Sequence, residues 1–87
     1  MCTYLTETIK ITGSGKGAEG WFSVSDASVY FDHPVHAMAE HTLNIDFRNP
    51  AGGPSARVAV ELSAESAREL ARAILLTLDS APPGMVA

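Results

Sequence analysis

The sequence predicts an α+β fold: a four-stranded antiparallel β-meander with one C-terminal helix packed on one face. Three observations carry this expectation. Four runs alternate apolar and polar residues with the period of a strand, and one C-terminal run repeats at helical spacing instead. The connections are short, so neighbours in sequence are expected as neighbours in the sheet, and the helix stripe needs an apolar sheet face to cover.

The first strand is expected over residues 3–12, with Leu5, Ile9 and Ile11 on one face and Tyr4, Thr6, Thr8 and Lys10 on the other. The glycine-rich "GSGKG" reads as a hairpin turn, because it lacks the spacing of a phosphate-binding loop. The second strand is expected over residues 21–31, with a bulge or bend near Ser25, Asp26 and Ala27, after which Val29 and Phe31 share a face. The third covers residues 42–48, where Leu43, Ile45 and Phe47 point one way and Asn44, Asp46 and Arg48 the other. A loop, "NPAGGPS", leads to the fourth strand at residues 57–62, with Val58, Val60 and Leu62 inward.

Ser63 reads as a helix N-cap, and Glu65 stands near the positive end of the helix dipole. Over residues 64–79, Ala67, Leu70, Ala71, Ile74, Leu75 and Leu78 form one apolar stripe, expected as core over Leu5, Ile9, Phe31, Leu43, Ile45, Val58 and Val60. Two prolines in "SAPPGMVA" end the helix. The expected organisation is therefore one domain over residues 1–80 and a flexible tail over 81–87.

Composition narrows the function classes. An 87-residue chain is near the small end of what can bury a core of its own, so a homodimer is expected, through the sheet face that carries Tyr4, Tyr30 and Trp21. The net charge is -4, and the six Lys and Arg are scattered, which argues against nucleic acid as a partner. A single cysteine, Cys2, forms no internal disulfide, and the chain lacks a signal-like start and a membrane-length apolar run. A cytoplasmic protein with no membrane association is the expectation.

All three histidines fall in "DHPVHAMAEH", residues 32–41. Counting by twos from Val29 and Phe31 reaches His33, and counting back from Ile45 and Leu43 reaches His41, so both imidazoles continue the apolar faces of adjacent strands. His36 lies on the connection between them. Three imidazoles at one end of a sheet are the donor set of an open transition-metal site, which takes neutral rings at about 2.0–2.1 Å. Zinc is the first candidate, and Asp32 and Glu40 could accept the remaining ring N–H groups. The spacing is not a specific metal signature. The alternative has His33 and His41 bonded to backbone at the edge of the core, with His36 solvated.

Glu7 shares the face of Leu5, Ile9 and Ile11, where a charge is expensive unless paired or bound to a cation. It is either an acid/base or ligand candidate or a carboxylate at the open edge of the sheet. Cys2 would become a terminal residue on removal of Met1, pairing a thiol with an α-amine, or it is simply a small residue at a frayed end.

The opening "MCTYLTETI", the turn "GSGKGAEGWF", the block "VYFDHPVHAMAEHTLNIDF" and "ARVAVELSAESAREL" together resemble a bacterial family of short single-domain proteins catalogued as a domain of unknown function. The likeness covers residues 1–78. It implies that the block around His33, His36 and His41 is the family's hallmark, with Cys2 and Trp21 also typical, and the family block has Pro where this sequence has Met38. No activity comes with the resemblance. Two functions from different classes follow. One is a metal-dependent lyase or isomerase acting on a small polar molecule, with His33, His36 and His41 as ligands and Glu7 or Glu40 as the base. The other is a non-catalytic dimeric module that binds a small molecule or supports a larger enzyme, with structural histidines.

Overall fold

The computed structural model describes residues 5–33 and 41–86. It has the expected order: β1 (Thr6–Gly17), β2 (Gly20–Asp32), β3 (Thr42–Arg48), β4 (Arg57–Leu62) and α1 (Ala64–Ser80), with single 3-10 turns at Pro50–Gly52 and Pro83–Met85. The sheet is antiparallel throughout in the order β1-β2-β3-β4. Among the described residues no helix is long and apolar enough to cross a membrane.

Strict alternation places β3 and β4 at their expected bounds. Val29, Ile45 and Val60 stand in one cross-strand row, as do Ala27, Phe47 and Val58, so these residues share the apolar face. Val24 joins Phe47 and Val58 around one hollow. Val24 and Ala27 therefore lie on the same side although three residues apart, and the strand's parity switches across Ser25 and Asp26. Their side chains bond to each other, with the Ser25 hydroxyl donating to Asp26 at 2.6 Å. The pairing with β1 slips at the same level, between Lys10 and Gly13, so the expected bend is present.

The glycine-rich segment is not the turn. Residues 13–17 continue β1, and Ala18 and Glu19 make the turn, with Gly20 at φ 110°. The glycines serve close approach instead. A Cβ on Gly15 would stand 3.1 Å from Val24 Cγ2, and one on Gly17 would stand 3.1 Å from both Phe22 Cε1 and the Ser55 carbonyl. Bare backbone lets the hairpin end fold against the start of β4.

Helix α1 starts as expected, with Ser63 Oγ accepting from the Ser66 amide at 3.1 Å. The Ala81 amide donates to the Leu78 carbonyl at 3.2 Å, and Pro82 and Pro83 follow. The packing of α1 differs from expectation. It touches β3 and β4, and none of its residues is buried. It lines a cleft with Val29, Phe31, Leu43, Ile45 and Leu62, whereas Leu5 and Ile9 remain 66% and 51% exposed and Val58 faces the hairpin end. The reason is width. Four strands span about 14 Å between outer axes, while a helix occupies about 8–10 Å of packing distance. Among the described residues, one helix leaning on β3 and β4 leaves the β1 side of that face uncovered.

Candidate functional site

The β2–β3 register pairs Asp32 with Thr42 and Phe31 with Leu43, so one step further brings His33 opposite His41. Their rings stack with centroids 4.6 Å apart and an interplanar angle of 28°. His41 also stacks on Phe31, at 5.8 Å and 14°. His33 is exposed and His41 half-buried, which grades the stack from solvent into the sheet. The His33 amide donates to Asp32 Oδ1 at 2.7 Å. Counting by twos thus places the two imidazoles correctly.

Phe31 links this pair to the cleft between the sheet and α1, a space of about 540 Å³ that is apolar except for Arg68. The histidine pair therefore stands at one end of an open hydrophobic cleft.

Glu7 lies apart from this pair. Glu7 stands opposite Val29, four residues from His33 along β2, which is about 13 Å at the rise of an extended strand. It is exposed on the edge strand, and that position tolerates a carboxylate on an otherwise apolar face. His36, Glu40 and Cys2 lie outside the described residues. Among the described residues no group of three or more His, Cys, Asp or Glu is placed to hold an ion.

The opposite sheet face carries a polar network. Lys10 donates to Asp26 at 2.7 Å, and Ser28 Oγ accepts from Arg48 at 3.0 Å while lying 3.1 Å from the Thr8 hydroxyl. Arg57 donates to Asp46 at 2.9 Å, and the Tyr30 hydroxyl reaches the same carboxylate at 3.4 Å. Thr42 and Asn44, bonded to each other at 2.7 Å, are 1% and 5% exposed. The hydrogen bonds from Lys10 and Ser25 hold the Asp26 carboxyl below its ordinary range against the opposing effect of desolvation, while desolvation first and the Asp46 charge second push the Tyr30 phenol up. Arg48 Nη1 is buried without a hydrogen-bond partner. Alternation along the strands carried the signal for this network, since Thr8, Asp26, Ser28, Asp46 and Arg48 all occupy positions out of phase with the apolar residues.

A family model described as a family of unknown function (DUF6295) matches residues 1–87. No curated protein and no solved structure matches the chain.

Proposed function

The chain belongs to that family of unknown function, and from this premise we propose that it is a small metal-binding protein whose divalent transition metal, zinc first, is held at the β2–β3 end of the sheet. The observation that carries the reading is the pairing of His33 with His41 at a centroid distance of 4.6 Å. Two imidazoles fixed by strand register are half of a four-coordinate shell. His36 is the candidate third ligand, with Glu40 as a further donor or base. Glu7 is too far along β1 to share the ion. Lyase or isomerase chemistry on a small polar molecule is the activity such a site would serve, with the ion polarising the substrate.

An ion about 2.0–2.1 Å from one nitrogen of each ring must lie in both ring planes. Ring planes only 28° apart do not meet within bonding distance of both rings, so binding requires one ring to rotate and the stack to open. Protons compete for the same nitrogens, and occupancy falls on acidification.

The test is metal analysis of untagged protein. The expected result is about one ion per chain, lost in His41→Ala while the amide NMR spectrum of the sheet is retained. Protein that is metal-free after growth in supplemented medium, and that shows no thermal shift with zinc, nickel or cobalt, sinks the reading and returns the histidines to the fold.

A second reading, a non-catalytic dimeric module with a small molecule in the cleft and structural histidines, is favoured by the apolar surface that α1 leaves open. Leu75 and Leu78 are 63% and 51% exposed. Metal-free protein that still assembles and binds small apolar probes would select it.

A further inference from the structure

We propose that α1 of a second copy of this chain lies in the cleft, over the β1–β2 half of the apolar face, and that two copies exchange this contact about a twofold axis. The proposal extends the second reading above by naming the surface and its occupant, and it is independent of metal.

Two deficits lie on one surface. Among the described residues no helix covers β1 and the adjoining side of β2, where Leu5 and Ile9 are exposed. Helix α1 has an uncovered stripe, because at 100° per residue Ile74, Leu75 and Leu78 continue the side that Ala67 and Ala71 present to the cleft. Each deficit is what the other would cover. A surface that carries both a ridge and the groove for it is self-complementary, which is the condition for an isologous twofold contact. Two helices packed side by side at about 8–10 Å would cover the four-stranded face that one helix does not.

The exposed area agrees. The chain exposes 6525 Å², against about 4,900 Å² for a compact protein of its mass. Even half of that excess matches the roughly 800 Å² that each partner buries in a stable interface. The radius of gyration is 14.5 Å, against about 12 Å for a compact chain of this length.

The experiment uses the full chain stripped of metal with a chelator. Light scattering at micromolar concentration is expected to give twice 9.2 kDa. Leu75→Glu and Leu78→Glu are each expected to raise the dimer dissociation constant at least about 100-fold. Leu76→Glu, on the opposite side of the helix, is expected to leave it unchanged. Should the charged variants unfold, mixed isotope labelling of the wild type decides, with intermolecular NOEs expected between the Leu75 and Leu78 methyls of one copy and Leu5 and Ile9 of the other. A monomeric wild type overturns the proposal and leaves the stripe to a partner of another sequence. A dimer indifferent to both charged variants, or one without those NOEs, overturns the surface. Loss of metal with the dimer intact separates this outcome from that of the metal reading.

Discussion

His41 stacks with both His33 and Phe31, whose ring centroids are 4.6 Å and 5.8 Å from its own. Among the described residues the His41 ring makes two aromatic contacts and the His33 ring one, and His41 is half-buried where His33 is exposed, so the two histidines are not equivalent for stability. Each such contact is worth about 0.5–1.5 kcal/mol beyond area burial. His41→Ala is expected to lower the stability of metal-free protein more than His33→Ala, measured by urea unfolding. Equal losses would show that the contact of His41 with Phe31 carries no weight.

Asp26 sets an acid limb. Lys10 donates to it at 2.7 Å and Ser25 at 2.6 Å, and its pKa lies below the ordinary 3.8. A lowered folded value means that the unfolded chain binds the proton more tightly. The stabilisation is therefore complete above the unfolded value and is lost as pH falls through the folded one. Asp26→Asn is expected to remove this contribution at neutral pH and to flatten the loss of stability as the solution is acidified below the ordinary carboxylate range. The Lys10 side chain is 84% exposed, so added salt should shrink the difference between variant and wild type.

The hairpin glycines give a paired test. Gly17→Ala drives a Cβ to 3.1 Å from the Ser55 carbonyl, which is backbone and has little room to yield. It is expected to cost about 1–3 kcal/mol. Gly13→Ala meets nothing within 4 Å, and its reduced unfolded-state freedom is expected to leave stability unchanged or raised by up to about 1 kcal/mol. Denaturant midpoints of the two variants check the order, and the reverse order would refute close approach as the role of Gly17.

Ser63→Ala removes the side-chain acceptor for the Ser66 amide. The expected loss is about 1 kcal/mol. It should appear first as faster amide exchange in the opening turn of α1, since no helix residue is buried to compensate.

Much of this architecture is legible in the residues, and the exceptions have physical causes. β3 and β4 alternate without interruption, and Ser63 combines a capping side chain with a helical repeat behind it, so their bounds follow from the letters alone. The far half of β1 does not, because glycine carries no side chain to alternate and its strand role depends on Val24, Phe22 and Ser55, distant in sequence. The stripe of α1 shows which side of the helix is apolar but not what covers it, and reading it as core assumed that one helix suffices for four strands. At the candidate site, strand parity brings His33 and His41 together. The same parity puts Glu7 on their face, but says nothing of the distance along the strand that separates it from them.

The register slip between Lys10 and Gly13 also bears on aggregation. β1 is an edge strand of 12 residues, and a long regular edge offers its unpaired amides and carbonyls to any passing strand. The slip divides it into residues 6–10 and 13–17. Lys10 and Lys16 place a positive charge on each piece. A fibril template needs an uninterrupted ladder that repeats from molecule to molecule. The same irregularity that returns Val24 to the apolar side thus protects the chain from growing edge to edge.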